Sequence, residues 1–286
     1  MSKYLINING ELFDETNALI SVFDRGFLYG DSVYEATRTF NRKAFRLNHH
    51  LDRLFSSAKK IELSPTLTRE EITTQIEKTI LASPFENINL RIVLTRGTNS
   101  DLGLDPDLSS ENNLIIFTKA IPPNPDWWLS DGVSMIFHTK ESSHKGPLPK
   151  SGNYQENVKA FKEATKRSAF DAIMVSPEGL VLEGTTSNIW LAKNGLILTP
   201  PLSDGVLEGL TRKTIFEMAL KSEFRIQEQS LTKIDFLSAD ECFLTSTTRN
   251  IVPVTMIEGQ KISNGKPGKL TLELLKSYLD YLNLQN

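Results

Sequence analysis

The sequence predicts an α/β protein of the α+β kind in two domains, a small N-terminal one and a larger, sheet-rich C-terminal one. Three observations lead there. The length of 286 residues exceeds the size at which a single core usually stops growing. Short β-type runs, punctuated by Asn-Gly and polar turns, alternate with segments of helical periodicity. One proline-rich break interrupts the chain at residues 121–125. Hydrophobic residues at 39% and charged residues at 23% supply enough apolar material for packed cores and exclude a disordered or fibrous chain.

In chain order, residues 3–8 (KYLINI), the run NGELF and residues 18–23 (ALISVF) read as strands separated by turn chemistry. The segment VYEATRTFNRKAFRL alternates large apolar with polar residues around a turn at 41–43, which predicts a hairpin. HHLDRLFSSAKKI then places Leu51, Leu54, Phe55, Ala58 and Ile61 on one helical face. Thr68 before Arg69, Glu70 and Glu71 predicts a capping box opening a second helix, and LRIVLTRG and NNLIIFTKAI predict two more strands. Residues 1–119 thus form the first domain. IPPNPDWW resists both helix and ladder, so residues 120–128 are read as a linker, with Trp127 and Trp128 packing at the junction. Residues 129–286 form the second domain. They carry the strand GVSMIFHT, a Pro/Gly/Ser-rich loop, a helix over 153–168, and the strands AIMVS, LVLEG, NIWLA and LILTP. A helix from Leu210, the strand ECFLTST and a helix over 269–281 complete it.

A net charge of -3 and the lack of a basic stripe argue against nucleic acid, leaving small molecules as partners. The single cysteine, Cys242, excludes an internal disulfide and reads as a buried thiol. The first residues contain no long apolar segment, and no run approaches the roughly 20 apolar residues of a membrane span; a cytoplasmic protein without membrane contact is predicted. His49 and His50 are adjacent, and His138 and His144 isolated, so no metal site is predicted. NGKPGKLT lacks the glycine spacing of a phosphate loop, and no GxGxxG occurs.

Lys150 ends a loop just before a helix, in PLPKSGNYQENVKAFKEA. A lysine attacks an aldehyde only as the neutral amine, which partial burial and nearby cations favour; taken alone, a solvated loop lysine is the commoner reading. Seven segments place it in context: RGFLYGDSVYEATRTF (25–40), FRLNHHLDRL (45–54), LRIVLTRG (90–97), KSGNY (150–154), EGTTSNIW (183–190), GVLEGLTR (205–212) and TSTTRN (245–250). In that order, and over nearly the whole chain, they resemble the fold type IV pyridoxal-phosphate (PLP) enzymes. That group includes branched-chain aminotransferases, D-amino acid aminotransferases and aminodeoxychorismate lyases.

The resemblance implies a two-domain fold type IV enzyme whose cofactor is pyridoxal 5'-phosphate. Lys150 would form the Schiff base and then carry the proton between substrate Cα and cofactor C4′. Glu183, on its own a solvated strand-end carboxylate, would pair with the pyridine nitrogen. Tyr154 would lie near O3′, a core tyrosine being the plainer reading. The phosphate would meet Arg53, otherwise a surface charge, together with Ser246, Thr247 and the amides of Leu210 and Thr211, where a helix N-terminus favours an anion.

Tyr34, Arg38, Arg91 and Thr248 are the candidate substrate contacts. Arg91 and the loop TNSDLGLDP resemble branched-chain aminotransferases, in which that loop closes over the neighbouring subunit's site. The resemblance therefore implies a homodimer that moves an amino group from a branched-chain L-amino acid to 2-oxoglutarate. Tyr34 and RGTxS are equally familiar from D-amino acid aminotransferases, but the D-specific arginine-histidine pair after RGTxS is missing. A lyase would show an FTTAR-like segment where Glu35 and Ala36 stand. A protein that holds PLP without turnover is the reading from another class. One departure concerns Ser168, Ala169, Phe170, Asp171 and Ala172, where the family has Gly-aromatic-Asp-Glu-Ala.

Overall fold

In the computed structural model, which describes residues 3–109, 111–142 and 144–284, the Asn-Gly signal produces the turn it predicts. Strands β1 (Tyr4–Ile8) and β2 (Glu11–Asp14) pair antiparallel with Ile8 opposite Glu11. The two residues between them, Asn9 and Gly10, have φ of 51° and 94°, the left-handed pair that a tight hairpin requires. After α1 (Arg25–Tyr29), β3 (Ser32–Phe40) and β4 (Lys43–Ala44) turn through Asn41 and Arg42 in the same way, with φ of 48° and 61°. Helices α2 (Leu47–Lys60) and α3 (Arg69–Ala82) follow, α3 opening on the Thr68–Glu71 capping box. Strands β5 (Ile88–Thr95) and β6 (Asn113–Ala120) complete an antiparallel sheet of order β2-β1-β6-β5-β3-β4.

The two-residue strand period and the helical period meet on one face of this sheet. Ile88, Leu90, Ile92, Leu94, Leu114 and Ile116 pack against Leu51, Leu54 and Ala58 of α2 and Ile72, Ile76 and Ile80 of α3. The alternate residues Asn89, Arg91, Val93 and Thr95 line a cavity of about 540 Å³ with Phe27, Ile115, Phe117 and Lys119.

Residues 18–23 do not form the strand expected of them. Asp14 closes the end of β2 by accepting from the amides of Thr16 and Asn17 at 3.0 and 2.9 Å, and the chain then runs outward with Leu19, Ile20, Val22 and Phe23 exposed. β-type composition describes a residue's fit to a half-buried ladder, and among the described residues no strand pairs with this segment.

The second unit begins at Pro123, inside the proline-rich run. The irregular part of that run spans 121–126, because β6 runs to Ala120 and a short helix, α4 (Trp127–Ser130), starts at Trp127. Trp128 packs edge-on against Phe170 at 5.4 Å within the second unit, while Trp127 is half exposed. There follow β7 (Val133–Thr139), α5 (Gln155–Lys166), β8 (Asp171–Val175), β9 (Leu180–Gly184), β10 (Asn188–Lys193), β11 (Leu196–Thr199) and α6 (Leu210–Ala219). Then come β12 (Arg225–Glu228), β13 (Leu231–Thr232), α7 (Lys233–Leu237), β14 (Glu241–Ser246), β15 (Asn250–Ile257), β16 (Gln260–Lys261) and α8 (Lys269–Leu284). The strands form one mixed sheet of order β12-β11-β10-β14-β15-β7-β8-β9-β13, with β16 on β15. Small residues Ala160 and Ala164 let α5 lie close on Ile136, Ala172, Met174 and Leu182.

The segment Pro149–Asn153, sequence-assigned to the C-terminal domain, groups instead with the first unit. β4 pairs only with Thr39 and Phe40, which leaves the edge of β3 at Ser32–Tyr34 open. The loop takes that edge: Tyr34 N–H donates to the Lys150 carbonyl at 2.9 Å, and Gly152 N–H donates to the Ser32 carbonyl at 3.0 Å. A Cβ at Gly152 would stand 2.5 Å from Ser32 Oγ, so only glycine keeps the loop flush with the strand.

Candidate active site

Lys150 is held at both backbone and side chain. Its N–H donates to Ser57 Oγ of α2 at 3.0 Å, and its Nζ lies 3.3 Å from Tyr34 Oη. The same Nζ sits 4.4 Å from the Tyr34 ring centroid, and the Arg91 guanidinium lies 4.1 Å from it. Tyr34 is only 5% exposed, so the first unit fixes an amine and a guanidinium on one aromatic ring. Arg38, further along β3, lies 4.3 Å over Phe40.

Strand alternation turns the next residue, Glu35, to the helix-covered face, where it is fully buried. Arg53 Nε and Nη2 donate to its two oxygens at 2.7 Å each, and His50 Nδ1 lies 2.7 Å from Oε2. Burial raises the Glu35 pKa, but the charge and hydrogen bonds of Arg53, with the His50 bond, outweigh it and lower the carboxyl to about 2. Burial lowers His50, against the pull of Glu35. The imidazole is thus neutral and donates Nδ1–H to an ionised carboxylate.

These shifts have a pH consequence. A carboxyl lowered from 4.5 to about 2 contributes stability that is fully present above its unfolded value and is lost as pH falls toward its folded one, about 3 kcal/mol in all. Buried neutral His50 works in the same direction below its ordinary 6.5, because only the unfolded chain takes up that proton. Urea midpoints should therefore fall steeply between about pH 5 and pH 3, and Glu35→Gln should flatten that slope. An unchanged slope would remove Glu35 as its source.

In the second unit, Glu183 is next to last in β9 and half-buried. Its Oε2 accepts from Leu207 N–H at 3.1 Å and from Asn188 Nδ2 at 3.4 Å, and Asn188 also donates to the Leu207 carbonyl at 3.0 Å. Asn188 Oδ1 occupies the place a Cβ would take at Gly209, so that position needs glycine. Gly209 is the N-cap of α6 and has no side chain to cap it. The first-turn amides of Leu210 and Thr211 are orphan donors of the helix start, and Thr211 Oγ1 is buried without a hydrogen-bond partner among the described residues. A buried hydroxyl with nothing to bond, at a helix N-terminus, suits a phosphate.

Across the ladder Asn188 pairs with Thr245, next to the turn holding Ser246, Thr247 and Thr248, all half-buried. Ser246 Oγ accepts from Arg249 N and Nε at 3.3 and 3.1 Å, and Arg249 Nη2 donates to Thr186 Oγ1 at 2.7 Å. That arginine ties the phosphate-type turn to the turn after Glu183. Asp171 Oδ1 accepts from Thr185 Oγ1 at 2.6 Å, and burial pushes the Asp171 pKa up. Tyr154 precedes α5, its carbonyl accepting from Val158 N–H at 2.9 Å.

The first unit therefore gathers Lys150, Tyr34, Arg91 and Arg53, and the second gathers Glu183, Leu210, Thr211, Ser246 and Thr247. Sequence reasoning missed Ser57, His50, Asn188 and Arg249. His50, Arg53 and Ser57 stand at i, i+3 and i+7 on α2, a spacing that puts them on one helix face, and that signal was available.

A family model described as amino-transferase class IV matches residues 32–257. The chain is a class IV aminotransferase. As such it is a PLP-dependent enzyme, and its mixed, sheet-rich architecture is that of fold type IV. This aminotransferase is 36% identical over 278 residues to a putative branched-chain-amino-acid aminotransferase of Methanocaldococcus jannaschii, covering 96% of this chain and 95% of that one. It is 33% identical over 268 residues to a D-alanine aminotransferase of Bacillus licheniformis, covering 92% of each. Among solved structures, it matches the branched-chain aminotransferase of Thermoproteus uzoniensis with norvaline at TM-score 0.86 and 29% identity, over 96% of this chain and 93% of that one. A branched-chain amino acid aminotransferase from T.th., solved with pyridoxamine 5'-phosphate, matches at 0.89 and 26% with the same coverage. No helix among the described residues is long and apolar enough to cross a membrane.

Proposed function

We propose that this aminotransferase moves the amino group of a branched-chain L-amino acid to 2-oxoglutarate. The observation that carries the reading is the cavity on the β5–β6 face. Phe27, Val93, Ile115 and Phe117 suit a branched aliphatic side chain, and Arg91 beside Lys119 suits the second carboxylate of a dicarboxylic partner. The branched-chain relatives support the same substrate class.

In this reading PLP supplies the electron sink, and the chain's residues bind, orient and move protons. Lys150 would attach the cofactor and move the proton at substrate Cα. Glu183 would pair with the pyridine nitrogen, Tyr154 would serve O3′, and Arg53, Leu210, Thr211, Ser246 and Thr247 would hold the phosphate. Tyr34, Arg38, Arg91 and Thr248 contact the substrate. The enzyme would act as a cytoplasmic homodimer. Arg25 supports the dimer by fixing the loop after β5: its guanidinium donates to the carbonyls of Gly103, Leu104 and Asp105 at 3.1 Å each, leaving Leu102 and Leu104 exposed for a second copy.

D-Alanine is the second donor to weigh, favoured by the Bacillus licheniformis relative. Incubation with 2-oxoglutarate and either L-leucine or D-alanine separates the two. Glutamate is expected from L-leucine at a kcat/KM at least about 100-fold above that for D-alanine, since the wrong hand leaves a buried polar group unpaired. The reverse order would overturn the assignment.

A further inference from the structure

The Glu35 cluster is a buried ion pair inside an apolar layer; protonating it costs the fold stability, but well-packed apolar residues in place of such a pair are often as stable or more so, so stability alone does not account for it. Its geometry offers another role. Both contacts come from one edge of the guanidinium, Nε and Nη2, and two parallel bonds fix the plane of an arginine as well as its position. His50 anchors the carboxylate in turn from Oε2, and His50 and Arg53 rise from the same face of α2. Within the first unit, Glu35 and His50 thereby hold the arginine head in one orientation.

We infer that Glu35, backed by His50, is a positioning residue for the cofactor phosphate: it orients the Arg53 guanidinium before the cofactor arrives. This rests on the reading that Arg53 holds the phosphate. An untethered arginine loses its rotamer freedom on binding, and the tether removes that loss from the binding step. A role confined to charge neutralisation gives a different expectation, because any residue that keeps the negative charge would then serve. Glu35→Asp keeps the charge and withdraws it by one methylene, so it separates geometry from charge.

The test compares dissociation constants for PLP and pyridoxal, which differ by the phosphate alone, in the wild-type enzyme, Glu35→Asp and Arg53→Lys. Glu35→Asp should weaken PLP by about 10–30-fold, near the factor set by ordering one arginine side chain, and leave pyridoxal within about twofold. Equal weakening of both, or no weakening, would overturn the inference. If Arg53→Lys itself fails to discriminate PLP from pyridoxal, the phosphate reading of Arg53 falls instead. A measurement on the unaltered chain covers the case of a variant that does not fold. In the cofactor-free protein, the Arg53 Nε–H resonance, assigned by through-space contacts to the Glu35 and His50 side chains that surround it, should be sharp and slow to exchange with water. A signal averaged with those of the exposed arginines would overturn the inference as well.

Discussion

Replacing Lys150 by alanine should abolish covalent cofactor attachment and cut turnover by about 10⁴-fold or more, since one amine provides both the attachment point and the proton transfer. The fold should survive the change. What seats residue 150 on the open edge of β3 is backbone: its N–H on Ser57 Oγ at 3.0 Å and its carbonyl under Tyr34 N–H at 2.9 Å, neither of which alanine alters. The side chain's own contacts, the Tyr34 hydroxyl and ring, belong to a half-buried group, so the melting temperature should move by only a few degrees, as for about 1 kcal/mol. Borohydride reduction followed by peptide mass mapping reads the attachment directly. Cofactor mass on another lysine, with more than about a hundredth of the wild-type rate against the expected loss, would show that Lys150 is not the reacting amine.

Why this lysine could be chosen, while the grouping of its loop with the first unit could not, follows from the range of the signals. The hairpins at 9–10 and 41–42 and the capping box at Thr68 are specified within four residues, and all three form. The loop's place on β3 depends on an open strand edge more than a hundred residues earlier, which no local pattern reveals. The same limit explains residues 18–23, whose composition suits a strand although no strand among the described residues pairs with them. The short elements β12, β13 and α7 have too few residues to show a period. In the site, type and order singled out Lys150, Glu183 and Thr211. Glu35 and Arg249 were illegible for the same reason as the loop: each looks like an ordinary surface charge until pairing with residues distant in sequence places it.

Glu183→Gln should lower kcat by about 10²–10³-fold, the scale on which a single preorganised electrostatic partner acts, while weakening PLP binding much less. The substitution keeps size and one acceptor oxygen, so Leu207 N–H and Asn188 Nδ2, now at 3.1 and 3.4 Å from Oε2, retain a partner and the β9–β10 turn keeps its shape. What disappears is the negative charge. If that charge keeps the pyridine nitrogen protonated, its loss falls on the charge that develops at substrate Cα and leaves the ground-state complex nearly intact. Single-turnover rates on cofactor-saturated enzyme isolate that step from binding. Glu183→Asp supplies the complementary case, with the charge retained but drawn back from Leu207, and should recover part of the rate. A carboxylate that merely braced the turn would give the opposite pattern: Glu183→Gln would turn over at nearly the wild-type rate once saturated, and Glu183→Asp, which loses the brace, would be the more damaging change.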